Sequence, residues 1–336
     1  MTALSVRSPR LGLGAVGVSW LGANLVVAAG TCHPAALRRV ARSRRAVRGR
    51  AGGSFATRSP FGTGAQQVRR VVTPEELAAR YSQVEYGPGR TGWWSPGTAG
   101  RPPVVVAHGY CVAANAVGSD AAPVPEVVAD LQAAGYPVLA MTFGYANGAY
   151  PFGAGWREAQ DVRSACAWMA AETGARAAVW GFSAGAHAAL LAASLPGPVS
   201  AVVSDGAFID LVKVVRAEVV RRSHLPRPTF GLLRPAITLM AGAPPVDLSC
   251  RLQADDYPVR TLIIHAGRDD IIASRTPAVL ARVTGGQAWE IPGAAHTQGY
   301  RVAADAYFAR VQRLLYDVAG SPVPDVRGAM RDPTRS

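Results

Sequence analysis

From Pro103 to Val318 the chain alternates short apolar runs with segments of helical spacing, and this alternation constrains the fold more than any other feature. The runs are Pro103–His108 (PVVVAH), Pro137–Phe143, Ala177–Trp180, Val199–Val203, Arg260–His265 (RTLIIH) and Ala288–Ile291. Runs this short and this uniformly apolar are what strands covered on both faces require. Val124–Ala134, Trp156–Thr173 and Ala184–Ser194 carry helical spacing between them, and Val302–Val318 closes the series as a helix. Parallel strands need long crossovers, and a helix is the usual one. The pattern therefore predicts an α/β fold, a mostly parallel central sheet with helices on both faces. Tyr81–Tyr86 and Thr91–Trp94 predict two short leading strands around a Gly87-Pro88-Gly89 turn.

One stretch breaks the rhythm. Residues 209–258 hold two helical segments, Leu211–Arg222 and Phe230–Ala241, separated by His224-Leu225-Pro226-Arg227-Pro228. An insertion of this length after a strand predicts a small helical lid over a site.

The net charge of +13 invites a nucleic-acid reading, but its distribution argues against one. Residues 1–70 hold twelve arginines and no acidic residue, whereas residues 71–336 hold 23 basic and 22 acidic side chains. The basicity belongs to the N-terminal arm, and the body has no charge suited to nucleic acid. Within that arm, Leu11–Gly30 is uncharged over twenty residues, the length that spans a bilayer core. Seven arginines between 38 and 50 follow it, against Arg7 and Arg10 before it. That asymmetry predicts a single-pass membrane anchor within residues 1–35, an Arg-rich linker over 36–70 and a cytoplasmic main domain. A cleaved signal peptide and a soluble protein are the competing expectations. Gly12-Leu13-Gly14-Ala15-Val16-Gly17 spells G-x-G-x-x-G, but no strand precedes it to deliver the turn, so it is not a dinucleotide site. The main domain is expected over 71–320, with a disordered tail at 321–336. Cys32, Cys111, Cys166 and Cys250 have no paired spacing and suggest buried thiols rather than a zinc site or a disulfide framework.

The chemistry centres on Gly181-Phe182-Ser183-Ala184-Gly185. In a chain with 36 glycines a chance G-x-S-x-G is not improbable, but this one follows a strand and opens an Ala-rich helix. A serine on that sharp turn projects its hydroxyl over the sheet edge; its bland competitor is a serine that merely caps the helix. A hydroxyl needs a base to become a nucleophile. Of six histidines, His296 lies after the last strand and before the last helix, in the chain order serine, acid, histidine. His187, four residues beyond Ser183, and His265, inside an apolar strand, suit packing; His33 and His224 have no context that selects them. The base needs a carboxylate to hold its tautomer. Asp269, four residues after His265, ranks first, then Asp270, then Asp205 at the end of Val199–Val203. Two backbone donors for an oxyanion are expected at Ala184 and, in the His108-Gly109-Tyr110 loop, at Tyr110, with Cys111 less suited.

These segments together resemble the α/β-hydrolase superfamily over roughly residues 80–318. Within it the chain is similar to bacterial membrane-linked hydrolases related to dienelactone-hydrolase-like and prolyl-oligopeptidase-like esterases. The resemblance rests on Val104-Val105-Val106-Ala107-His108-Gly109-Tyr110, Gly181-Phe182-Ser183-Ala184-Gly185, Asp205-Gly206-Ala207-Phe208, Leu262-Ile263-Ile264-His265-Ala266-Gly267-Arg268-Asp269 and His296. It implies Ser183, Asp269 and His296 as a catalytic triad, with no metal or organic cofactor. The chain departs where such relatives carry D-x-R-G-x-G: it has Thr142-Phe143-Gly144-Tyr145-Ala146-Asn147-Gly148, and it lacks an HGGG loop. The expected activity is hydrolysis of a small-molecule carboxylic ester through an acyl-enzyme. An acyltransferase or peptidase with the same triad is one alternative, and a non-catalytic membrane-tethered binding protein is another.

Overall fold

The computed structural model describes residues 79–110, 122–222 and 231–319, all within the compact unit Arg69–Ser336. The expected anchor, the linker, the C-terminal tail, Cys32, Cys111, His33 and His224 lie outside the described residues. Among the described residues no helix is long and apolar enough to cross a membrane.

Eight strands form one sheet. They are β1 (Ser82–Gly87), β2 (Arg90–Ser95), β3 (Val104–Ala107), β4 (Val138–Met141), β5 (Ala177–Phe182), β6 (Val199–Asp205), β7 (Arg260–Ala266) and β8 (Gln287–Ile291). Their spatial order is β1-β2-β4-β3-β5-β6-β7-β8. The two leading strands form a hairpin that joins β4 antiparallel, and every pairing from β4 to β8 is parallel. The helices are α1 (Val124–Ala133), α2 (Trp156–Thr173), α3 (Ala184–Ala192), α4 (Leu211–Arg222), α5 (Leu233–Ala241), α6 (Leu248–Arg251), α7 (Thr276–Thr284), α8 (Gly299–Val302) and α9 (Ala304–Asp317).

Side-chain alternation along the central strands splits the core in two. Val105, Ala107, Val179 and Ile263 pack on one face with Val162 and Cys166 of α2 and Ala186 and Leu190 of α3. Val104, Val106, Trp180 and Leu262 pack on the other with Val128 of α1 and Tyr307 and Val311 of α9. Both faces of the strands are covered, so their sequences need no polar alternation. Trp180 is fully buried and stacks on Tyr307, ring centroids 5.4 Å apart.

The elements depart from the sequence expectation at their ends. Strands β5 and β6 run two residues further, to Phe182 and Asp205, because each gains ladder partners there, Phe182 opposite Asp205 and Asp205 opposite Ile264. The run Pro137–Phe143 shortens because the Phe143 N–H leaves the ladder for the His108 side chain. The closing helix is interrupted at Ala303, whose φ of −136° is not helical, so it forms α8 and α9. Helices α6 and α7 carry too few apolar repeats to have been expected. Cys166 is buried as anticipated, but Cys250 is exposed on α6, contrary to the expectation of buried thiols. The short polar helix that carries it lies at the surface.

Topology places the site. The chain leaves β3 toward β4 on one side and returns to β5 on the other, so the loops after β3 and β5 sit side by side at the carboxyl edge. A crevice at such a reversal is where α/β sheets take their ligands.

Candidate active site

Ser183 occupies the turn between β5 and α3 with φ 51°, ψ −112°, a conformation that costs a non-glycine residue free energy and persists only where its surroundings impose it. The imposing contacts are backbone to backbone. A Cβ on Gly181 would stand 2.5 Å from the Gly185 carbonyl oxygen, and one on Gly185 would stand 2.4 Å from that of His108. Only glycine at both positions lets β5, α3 and the end of β3 approach this closely. The Ser183 N–H donates to the Asp205 carbonyl at 2.8 Å, tying the turn to β6. Its side chain makes no helix-capping bond. The hydroxyl instead lies 3.0 Å from Nε2 of His296.

His296 Nδ1 lies 2.7 Å from Oδ2 of Asp269. A carboxylate accepts, so Nδ1 carries the proton and Nε2 is left to accept from Ser183. Asp269 Oδ1 accepts from the amides of Ile271 and Ile272 at 2.9 and 2.8 Å. Burial pushes its carboxyl up, but the hydrogen bond and charge of His296 and the two amides outweigh burial and hold it below the ordinary range. It stays an anion able to orient the imidazole. A Cβ on Gly206 would stand 2.9 Å from Cε1 of His296, so the ring requires a glycine on the β6 side. Thr297, next to His296, is also held at positive φ, 57°.

The other two carboxylates lie apart from this chain of contacts. Asp270 is exposed. Asp205 is buried, and its Oδ2 accepts from the Tyr307 hydroxyl at 2.7 Å rather than from His296. Burial raises it to about 6, against the smaller opposing effects of that hydrogen bond and of His296. Nothing local in sequence marks Tyr307 as its partner, since 102 residues separate them.

The loop after β3 meets the nucleophile turn directly: a Cβ on Gly109 would touch Cβ of Ser183 at 3.4 Å. Ala184 opens α3, and first-turn amides have no acceptor within their own helix. Tyr110 continues the loop from Gly109. His108 locks this loop: its Nε2 accepts from the Phe143 N–H at 3.3 Å and its Nδ1 faces the Gly109 carbonyl. Burial lowers it to about 4, so it is neutral, as both contacts demand. The sequence places His108 at the start of the oxyanion loop but does not reveal this locking role of its side chain, because Phe143 lies 35 residues away.

The segment 142–148 is packed by aromatic side chains. Tyr145 stacks on Phe143 and on Tyr110, centroids 5.6 Å apart in both pairs, and Phe152 meets Tyr110 edge-on at 5.0 Å. Asp161 holds the segment from beneath, accepting from the Gly144 N–H at 2.9 Å and pairing with Arg90 and Tyr150. His187 is buried, stacked on Phe208 at 4.3 Å, with Nδ1 2.9 Å from the Phe208 carbonyl. Burial lowers it to about 4, which suits the packing role expected of it. His265 is buried in β7, also as expected. Among the described residues no group of three or more His, Cys, Asp or Glu is placed to hold a metal ion.

No protein-family model matches the chain, and no curated protein matches it in sequence. Solved structures do. The Pyrococcus furiosus esterase Pf2001 superposes with a TM-score of 0.59 at 21% identity, over 74% of this chain and 96% of that one. The propionate-bound esterase Est2 from the Planctomycetes species Thermogutta terrifontis superposes at 0.54 and 17% identity, over 75% and 98%. Est1E from Butyrivibrio proteoclasticus follows at 0.50 and 14%, over 70% and 98%. At these identities the likeness is one of architecture, and with the strand order above it settles the architecture: the chain has the α/β-hydrolase fold.

Proposed function

We propose that the chain hydrolyses carboxylic esters through a covalent acyl-enzyme on Ser183. The observation that carries this reading is the continuous relay from Ser183 Oγ to His296 Nε2 at 3.0 Å and from His296 Nδ1 to Asp269 at 2.7 Å. In the proposed cycle Ser183 Oγ attacks the ester carbonyl carbon while its proton passes to His296 Nε2. The Ala184 and Tyr110 amides receive the negative oxygen of the tetrahedral intermediate. The C–O bond to the alcohol then breaks, and the leaving oxygen takes the proton from His296. Water repeats the sequence against the acyl-serine, releasing the acid and restoring the hydroxyl. Asp269 stays ionised throughout and stabilises the imidazolium. The aromatic wall of Tyr110, Tyr145 and Phe152 supports an apolar substrate group beside the oxyanion loop.

A fluorophosphonate probe tests the nucleophile. The wild-type protein is expected to label and to turn over p-nitrophenyl esters of graded acyl length, and Ser183→Ala to do neither. Labelling that survives the substitution sinks the assignment. Labelling without ester turnover moves the reading to transfer or peptide hydrolysis. The membrane anchor within residues 1–35 is likewise proposed, on their apolar run and flanking arginines. Retention in the pellet after an alkaline carbonate wash supports it, and release removes it.

A further inference from the structure

Helix α5 is mostly apolar yet almost unburied. Only Ala241 among its nine residues is buried. Counting from the helical residue before it, Leu232, Pro235, Ala236 and Leu239 recur at i, i+3, i+4 and i+7, and all four are exposed. Leu232 is 68% and Leu239 85% exposed, with Met240 at 54% beside them. Such a stripe is the contact face of an amphipathic helix, and here it is turned outward. Its inner residues Leu233 and Ile237 are half-buried, and Arg234 ties the helix to Asp210 and to the Pro245 carbonyl. α5 therefore stands at the carboxyl edge of the sheet, the edge that carries Ser183.

Charge selects what covers this face. Over 209–222 and 231–251 the described side chains are four basic, Lys213, Arg216, Arg234 and Arg251, against two acidic, Asp210 and Asp247; the other described residues carry thirteen against fourteen. The acidic pair Asp255 and Asp256 does not offset this, because Ala254 already sits against Gly285 at the opposite edge of the sheet. Lys213 is 65% exposed and Arg234 48%, although each also pairs with a carboxylate, Lys213 with Asp247 at 3.3 Å and Arg234 with Asp210 at 3.3 Å. A second copy would set like charge against like. So would residues 1–70, with twelve arginines and no acid. An anionic lipid surface matches both features, apolar side chains entering the acyl boundary and cations meeting headgroups.

We propose that the outward face of α5 and the basic residues around it form a docking surface for anionic membrane. The inference does not rest on the catalytic reading. Hydrogen exchange of the full-length protein tests it, followed at peptides covering 231–241. Phosphatidylglycerol vesicles are expected to slow exchange there by about fivefold or more, as insertion suppresses local opening. Phosphatidylcholine vesicles are expected to leave it unchanged, and about 1 M salt, with its Debye length near 3 Å, to abolish the effect. Leu232→Glu with Leu239→Glu is expected to lose the protection while keeping the parent's thermal unfolding midpoint within a few degrees, which shows the variant is folded. Unchanged exchange with phosphatidylglycerol overturns the proposal, even if the arginine arm brings the protein to the vesicle. Equal slowing by both lipids overturns its electrostatic part. Slowing that grows with protein concentration alone overturns it in favour of a second copy.

Discussion

Helices α3 and α5 have nine residues each, both mostly apolar, and their environments are opposite. Every residue of α3 is buried; of α5, only Ala241 is. The difference lies in side-chain size and in what each helix meets. α3 is Ala- and Gly-rich on the side that meets β3 and β5, so its backbone reaches the strands, and the contact fixes the Ser183 turn. α5 and the residue before it turn Leu232, Leu239 and Met240 outward, where no layer among the described residues covers them. A mostly apolar helix thus makes a rigid mount in one place and an open surface in the other. Rigidity suits a nucleophile that must be held within a fraction of an ångström; exposure suits a contact made only when a partner arrives.

The largest expected effect separates the two regions by chemistry. Ser183→Ala is expected to lower kcat for a short soluble ester by about 10⁴-fold or more, because removing one member of a relay disables the whole. Leu239→Ser in the same assay is expected to stay within about twofold, as an 85% exposed side chain that takes no part in the relay. A loss below tenfold at Ser183 places the nucleophile elsewhere. A large loss at Leu239 erases the distinction between mount and surface.

The acids of the two regions sharpen the contrast. Burial raises Asp205, beneath the nucleophile turn, to about 6 from its ordinary 3.8. Between those values the folded protein holds a proton that the unfolded chain has released. Stability therefore falls as pH rises from about 4 to 6, and the penalty is complete above that window. Asp205→Asn keeps an acceptor for Tyr307 and removes the charge. Urea midpoints at intervals from pH 4 to 7 are expected to show the downward slope flattened, by about 3 kcal/mol at most at about 1.4 per pKa unit. Asp247, half-buried at the start of α6, has the opposite sign. Burial acts to raise it, but Ser249 and Lys213 outweigh that and lower it. Its contribution is present above the ordinary carboxylate value and lost as pH falls through the lowered one, weakened by solvent. An unchanged slope in Asp205→Asn leaves the buried charge without its proposed cost.

Sequence made the α3 region legible because its determinants are local. A strand, two glycines around a serine and an alanine-rich helix lie within sixteen residues, 177–192, and the order of Asp269 and His296 behind them follows the strands. The rest depends on contacts the sequence does not index. His108 reaches Phe143 across 35 residues, and Asp205 reaches Tyr307 across 102. Strand ends moved where ladder partners extended them, at Phe182 and Asp205. The insertion after β6 was readable as helices, since its spacing is helical, but helical spacing does not say which apolar residues find a layer to pack against. That is why the sequence reads α5 as a helix of the insertion but does not show that its apolar side chains stand exposed.

The smallest expected effects test that last point directly. Ala186 on α3 is fully buried, and Ala236 on α5 is exposed. Leucine has nearly the helix propensity of alanine, so the same substitution at both sites compares packing with little contribution from backbone preference. At 186 the added carbons enter a filled core, and the expected cost is about 1–3 kcal/mol. At 236 they enter solvent, and the expected change is within about 0.5 kcal/mol. For a domain of this size each kcal/mol moves Tm by about 2–4 °C, so Ala186→Leu melts several degrees lower and Ala236→Leu almost with the parent. If Ala236→Leu destabilises as much as Ala186→Leu, the α5 stripe is already packed in the free protein, and its cover belongs to this chain. If it is neutral in solution and strengthens protection of 231–241 on anionic vesicles, the added side chain has found its layer in the lipid, and the two helices differ only in when they are buried.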